Sequence, residues 1–547
     1  MGLQTFFSNF ALLSEVPNFN DRFRTLALEL AFSGDLSGGN RQMWVEKKVD
    51  EIASLIQTGF ACNRIHQVEN GYIHLRTHNI NIQGKLNFDL TIRIDPRQVD
   101  ERKAHLKQGD LIFNNTNSQE LVGKTCLVNR DYDFAYSNHL TLIRLKDGYA
   151  PNYVVRYFNL LWRRGFFANL CNRWIGQAGI NTNILRNLMI PFPQLEEQER
   201  IVAEIDELMR LCDELEAQQQ TKRESRVRLN TVILAPLNKA AALTPDEFEQ
   251  ATTRLADNFD TLYDSIDTVS KLRSTILQLG VQGKLVPQDS NDEPGDVLLR
   301  RIQVDKEQLV KQVGAKRAPP TTPLSEPMFD LPLGWTSARF GDVFLDIEAG
   351  WSPQCKRNPA TDNEWGVLKV SSVSWDYFRC DENKALPEDI EPRLDLEVAA
   401  GDFLISRANT SELVAKSVVV KHTPPKLLIS DKVLRVHFPE HADKEFYNYF
   451  NNSQLGRDYY AKTASGTSSS MKNISQVGIS MLPVPVPPLA EQKRIVAKVS
   501  QLMSLCDELE AKLRQAEADG EKLMNAAVKH VLDSVRDVSK TSEEVFA

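Results

Sequence analysis

The sequence predicts an α+β protein of duplicated design: two mixed α/β domains separated by long antiparallel coiled-coil helices and related by a pseudo-two-fold internal repeat. Three observations carry this reading. The string LEEQERIVA at 195–203 returns as LAEQKRIVA at 489–497, and LCDELEA stands at both 211–217 and 505–511. Both pairs lie 294 positions apart, and self-similarity at constant register sets the architecture before any local pattern is read. Residues 37–190 and 329–486 hold short apolar runs, glycines and aromatics of the kind that form strands. From 195 onward Ile201, Ile205, Leu208, Cys212 and Leu215 recur at spacings of three and four with charged residues between them, which is a coiled-coil seam. Ile495, Val499, Leu502, Cys506 and Leu509 repeat it.

Taken in chain order, residues 1–36 form an N-terminal helical segment. Its FRTLALELAFSGDL, 23–36, matches LRSTILQLGVQGKL, 272–285, in the order of apolar positions and in the Gly-x-Leu ending. The first globular domain spans 37–190, with YIHLR, KTCLV and LTLIRL as strands and NYVVRYFNLLWRRGFF as a helix. Central helices occupy 191–285. Pro191 and Pro193 mark the handover into the first of them, and Pro483 to Pro488 do the same after the second domain. Phe259, Leu262, Ile266, Val269, Leu272, Ile276 and Leu279 predict a second long helix, whose seam is expected to pair antiparallel with that of 195–220. Residues 286–328 are expected to be a linker, because GAKRAPPTTPLSEPMFDLP is rich in proline and poor in apolar residues. The second domain spans 329–486, with KSVVVK and VLRVHF as strands, and a helix fills 487–547. GDLIFNNTNSQELVGK, 109–124, aligns without a gap on GDFLISRANTSELVAK, 401–416, and Trp44…Val49-Asp50-Glu51-Ile52 answers Trp335…Phe340-Gly341-Asp342-Val343.

At 547 residues the chain is too long for one core, and its 42% hydrophobic and 25% charged residues are ordinary globular composition. No apolar run long enough to span a membrane is present, and the start MGLQTFFSNFALLSEVPNFNDR lacks the basic n-region of a signal peptide. Phe6 stands where a myristoylation site needs Ser or Thr. Seven scattered cysteines without a CxxC pair point to a reducing cytosol and against structural zinc. ELVGKT at 120–125 is not a phosphate loop, since the required first glycine is replaced by Ser118 and the repeat partner ELVAKS lacks the second. FNNTN at 113–117 has no proline to match the Asn/Asp-Pro-Pro-aromatic loop of amino-methyltransferases. His74 and His78 lie in a strand-like run without a third ligand. The reading is a scaffold with no catalytic residue, cofactor or metal of its own.

The pattern PxPxLxEQxRIVAxxxxLMxLCDELEA, at 191–217 and 485–511, is similar to the helical regions of type I restriction-modification specificity subunits. LRSTILQLGVQGKLVPQDSNDEPGDVLLRRI at 272–302 resembles that family's central segment, and LPLGWTSARFGDVF the start of its second target-recognition domain. The resemblance implies a cytoplasmic, non-catalytic subunit that binds double-stranded DNA, reading half of a bipartite asymmetric site with each domain. It further implies two modification (N6-adenine methyltransferase) subunits and restriction (translocase and nuclease) subunits as partners. S-adenosylmethionine, ATP and Mg are then expected on those partners. Two other classes are a coiled-coil structural adaptor without DNA readout, and a stand-alone methyltransferase; a partner-bound complex without sequence preference indicates the first, and S-adenosylmethionine binding by the isolated chain the second.

Under that implication, base contacts are expected at repeat-related polar positions. Aligning YIHLRTHNI with GVLKVSSV sets Arg76 against Lys369 and Asn79 against Ser372. The GD-strand pair sets Asn115 against Arg407 and Asn117 against Asn409. Arg reads guanine and Asn adenine through paired hydrogen bonds, so the residue types suit the task. The glycine-bearing loops 176–181 and 466–473 are expected to approach the DNA backbone, with Lys472 on a phosphate. Residues 40–190 hold 20 Lys and Arg against 13 Asp and Glu, whereas 329–486 hold 17 against 21, so only the first domain has the charge of a DNA binder.

Overall fold

The computed structural model describes residues 10–545 apart from 35, 37–40, 175, 176, 314–320, 323, 325, 362, 375, 376, 469 and 470. The chain divides into two compact units, Met1–Lys222 with Ala516–Ala547, and Arg223–Gln515. Each unit contains one globular head.

The first head is built on a four-stranded antiparallel sheet in the order Ala53–Thr58, Leu140–Leu145, Leu111–Asn114, Thr125–Leu127. LIFN is buried along its whole length, and Leu111, Ile112 and Phe113 accordingly form an unbroken apolar run. The second head has the same sheet from Asp346–Ala349, Val433–His437, Phe403–Ser406 and Ser417–Val419. An amphipathic helix covers each sheet: Pro151–Arg163 places Phe158 against Phe113, and Lys444–Asn452 places Phe446, Tyr447 and Phe450 in the core with Phe340 and Phe403.

Three smaller sheets recur in the same way. Gln67–Leu75 lies between antiparallel Arg93–Ile94 and parallel Ala135–Tyr136, and Gly366–Leu368 between antiparallel Asn383–Ala385 and parallel Leu427–Leu428. The hairpin Asn172–Trp174 and Gln177–Gly179 pairs with Thr116–Asn117, as Ser465–Ser468 and Met471–Asn473 pair with Ala408–Asn409. A two-stranded ribbon, Val45–Lys48 with Met189–Phe192 or Thr336–Arg339 with Pro483–Val486, joins the chain entering each head to the chain leaving it. The turn in ELVGKT is repeated down to its backbone. Gly123 takes φ +91° and its counterpart Ala415 φ +59°, and a Cβ on Gly123 meets the Phe167 ring at 2.3 Å.

Each ribbon runs into a long helix, Leu195–Asn238 or Leu489–Val545. Gln198 and Gln492 donate back to the carbonyls of Pro193 and Pro487, both at 2.9 Å, and so fasten the two helix starts alike. The coiled-coil partners differ from the sequence expectation, which paired the seams of 195–220 and 259–279 with each other. Helix Phe19–Ser33 lies antiparallel to the start of Leu195–Asn238, with Asn20 donating to Gln219 and Arg24 to Asp213. Helix Ile266–Val281 lies antiparallel to 489–515, with Arg273 on Asp507 and Gly280 against Val499. The reason is sequential: in both units the helix preceding a head meets the helix that follows it, because the ribbon brings the two chain ends together. Gly34 and Gly283 end the preceding helices in left-handed conformation, φ +90° and +69°.

Two further expectations are corrected. The helix expected over 259–279 is broken into Phe259–Leu262 and Ile266–Val281, with Tyr263 turning into the core at 3% exposure. Within 286–328, read as a linker, Gly295–Val313 is helical, since Leu298 and Ile302 share one face and are buried against the second head. Of the proline-rich part, 314–320, 323 and 325 lie outside the described residues, as do the first nine residues of the N-terminal segment.

The helices of the second unit approach closely at Gly280, where a Cβ would meet Val499 Cγ2 at 2.9 Å. Gly280→Leu is therefore expected to destabilise by about 1–3 kcal/mol through overpacking, measured as a lowered thermal midpoint. An unchanged midpoint shows that the helices separate freely there.

Candidate nucleic-acid interface

The candidate residues fall on two places in each head. The first is the short helical turn that follows the central strand of the mixed sheet. In the first head this is Thr77–Asn79, and in the second Val370–Val373. Asn79 is 1% exposed; its Oδ1 accepts from Arg76 N at 2.8 Å and its Nδ2 donates to the carbonyls of Asn87 and Leu90, both at 2.9 Å. Ser372 is fully buried and donates to the Lys369 carbonyl at 2.7 Å. Both hold the turn and are removed from the reading set, because polar side chains satisfied inside the fold are not offered to a ligand.

Arg76 and Lys369, which precede these turns, are half-buried at the surface. Arg76 Nη2 donates to the Cys62 carbonyl at 3.4 Å while its buried Nε has no protein partner, and burial pulls the guanidinium below its ordinary pKa. Lys369 Nζ lies 3.5 Å from Glu382, whose carboxyl is held below the usual range by the Ser371 hydroxyl and by Lys369 and Arg379. His74, just behind Arg76, is fully buried; desolvation and the neighbouring guanidinium push its imidazole down to about 4, so it stays neutral. Its Nε2 is 3.2 Å from the Phe60 carbonyl, and exposed His78 lies 3.2 Å from that of Leu90.

The second place is the hairpin sheet. In the second head, strand pairing sets Asn409 opposite Lys472, and the Arg407 carbonyl accepts from Ile474 N. Arg407, Asn409 and Lys472, drawn from separate stretches of sequence, are thus neighbours. Arg407 is exposed, and its guanidinium has no partner among the described residues. Lys472 donates to the Gly466 carbonyl at 2.6 Å. Asn409 donates to Ser374 Oγ at 2.7 Å, which ties this sheet to the Val370–Val373 turn and joins the two places into one surface. In the first head Asn117 is half-buried, and only its Oδ1 is engaged, by Ser118 N at 2.8 Å. Asn115 is 8% exposed and bonds to Thr141, Asn138 and Thr116, so it fixes the sheet and leaves the set.

One residue was missed. Arg173 lies in the row Arg173, Ala178, Asn117 across the first hairpin sheet, is exposed, and has no partner among the described residues. NRWIGQAGI and SGTSSSMKNI share too few residues to align, so the repeat that revealed the other positions gives no signal here. Of the glycine-bearing loops, 176 and 469–470 lie outside the described residues. Among the described residues no helix is long and apolar enough to cross a membrane, and no cluster of three or more His, Cys, Asp or Glu is placed to hold a metal ion.

A family model described as the type I restriction modification DNA specificity domain matches the chain twice, at residues 42–224 and 333–517. The type I restriction enzyme EcoEI specificity subunit of Escherichia coli is 37% identical over 346 residues, 62% of this chain and 58% of that protein. The EcoAI specificity subunit of Escherichia coli is 30% identical over 352 residues, 62% and 57% of the two chains. The matched stretch thus spans less than two thirds of either relative. A solved chain from work on complex assembly and conformational transition of the type I R-M system covers 89% of this chain and 97% of its own, at 17% identity and a TM-score of 0.47.

Proposed function

The chain belongs to the type I restriction modification DNA specificity family, and from that premise we propose that it is the DNA-reading subunit of a restriction-modification complex. The observation that carries this reading is the pairing of equal frames with unequal surfaces. Both heads have the same four sheets, yet the hairpin sheet offers Asn117 and Arg173 in one and Arg407 and Lys472 in the other, where Asn409 is spent on Ser374 and Thr410 N. Two such heads in one chain suit a bipartite, asymmetric duplex site. Phosphate contacts position a protein and base contacts specify the sequence. The basic first head supplies the former itself, whereas the acidic second head depends on its neighbours in the complex.

Heads over 37–190 and 329–486 as copies of a pseudo-two-fold internal repeat, each on its own antiparallel helix pair, are part of this reading. The chain performs no chemistry. Two modification subunits bring S-adenosylmethionine and methylate adenine; restriction subunits bring ATP-driven translocation and Mg-dependent cleavage. The complex acts in the cytoplasm.

Mapping N6-methyladenine in the host genome with the gene intact, deleted, or carrying Arg407→Ala tests the proposal. Deletion is expected to erase one bipartite motif. Arg407→Ala, at an exposed site, is expected to leave one half-site intact and weaken base preference in the other by about 1–3 kcal/mol, roughly 5- to 150-fold. A motif that survives deletion overturns the reading, and unchanged preference in the variant takes Arg407 out of the contact set.

A further inference from the structure

Each unit contains the same ionic fork, an arginine held between the helices, buried for Arg24 and half-buried for Arg273, against two acids at the surface. Arg24 Nη2 reaches Asp213 Oδ1 at 2.7 Å and Glu216 Oε2 at 2.8 Å. Arg273 Nη2 reaches Asp507 Oδ1 at 2.7 Å and Glu510 Oε2 at 3.1 Å. The arginines stand second in the matched strings at 23–36 and 272–285, and the acids third and sixth in the two LCDELEA strings. Several other charges in these matched stretches change: Glu29 answers Gln278, Asp35 answers Lys284, Glu199 answers Lys493, and Glu204 answers Lys498. Glu197, Arg200 and Glu214 are kept alongside the fork, as Glu491, Arg494 and Glu508.

We propose that Arg24 and Arg273 are positioning residues that lock the axial register of each helix pair, and through it the spacing at which the two half-sites are read. The inference rests on the DNA-reading role proposed above. The seam residues recur every three or four positions, so a pair displaced by one turn still buries apolar side chains. The fork removes that freedom. A displacement of one turn, about 5.4 Å, breaks the fork: by four residues it sets Arg24 against Met209 and Cys212 or against Ala217 and Gln220, and by three it leaves one acid of the two, Asp213 beside Arg210 or Glu216 beside Gln219. The side chain of Arg24 is 4% exposed, and a buried cation stripped of its partners is strongly destabilising.

The lock also acts at a lever distance. The ribbon ties both chain ends at the base of each head, and Asp213 stands about 27 Å further along its helix from Leu195. Two fixed points so far apart prevent a head from rocking on its helix pair, which a single tie at the ribbon does not. Stability by itself does not require a cation here, because well-packed apolar residues replace buried ion pairs with little or no loss. What they do not supply is a unique register, the role for which buried polar groups are best attested.

The test uses the full chain assembled with its methyltransferase partners and a set of duplexes that keep both half-sites while the spacer varies by up to two base pairs either way. Wild type is expected to modify one spacer. Arg24→Met and Arg273→Met are expected to keep the half-site sequences and to raise modification of neighbouring spacers, relative to the cognate one, by about tenfold or more, equivalent to about 1.4 kcal/mol of lost discrimination. Arg24→Lys, which keeps the charge and loses the fork, is expected to fall between; it serves the same comparison if the Met variant does not fold. Variants with the spacer profile of a selective wild type overturn the lock and leave the DNA-reading role standing. A wild-type complex indifferent to the half-site sequences overturns both.

Discussion

Inserting four residues after Glu216 is expected to move modification to a longer spacer and reduce it at the original one by at least about tenfold. Leu195–Asn238 is one uninterrupted helix of 44 residues, on the order of 66 Å long, where the seam alone predicted roughly 40 Å. One added turn lengthens it by roughly 6 Å, the rise of one or two base pairs at about 3.4 Å each. The insertion follows both acids that hold Arg24, so that fork is left as it is, while Gln219 and Lys222 move one turn away from Asn20 and Glu15. The half-site sequences, set by the heads, are expected to be unchanged. Methylation of duplexes with graded spacers measures this. Undiminished modification at the original spacing shows that the heads are flexibly tethered and that the helix is no ruler.

Phe340→Ala is expected to destabilise the second head by about 3–5 kcal/mol. Phe340 is 1% exposed at the point where the ribbon meets the core, with the rings of Phe344, Phe403, Phe438 and Tyr447 between 5.2 and 6.1 Å away. Five rings converge there, so removing the central one leaves a cavity that its neighbours cannot close by rotating. For a head of this size the loss corresponds to about 6–20 °C in the midpoint of its unfolding. Scanning calorimetry is expected to show this transition falling while that of the first head stays in place. A shift under about 2 °C shows that the core collapses onto the gap. The counterpart in the first head is Val49, also 1% exposed, whose truncation removes less volume and costs less.

The sequence by itself determined the duplication, the strands and the starts of the long helices. KTCLV, LTLIRL, KSVVVK and VLRVHF are strands in the structure, and the register that joins LCDELEA to its copy also joins Asp213 and Glu216 to Asp507 and Glu510. These features are local: a run of β-branched residues or a three-four apolar spacing commits the backbone within a few residues. Tertiary structure alone decided which helices meet and which polar residues face outward. Phe19–Ser33 pairs with the start of Leu195–Asn238 because a ribbon formed across the whole first head closes the chain on itself. Asn79 and Asn117 are the same residue type in loops of the same head. One is spent on the carbonyls of Asn87 and Leu90, and the other keeps its amide nitrogen unengaged at the edge of a hairpin sheet. An asparagine that can read a base is equally able to hold a turn, and the choice belongs to groups that come near only when the chain has folded.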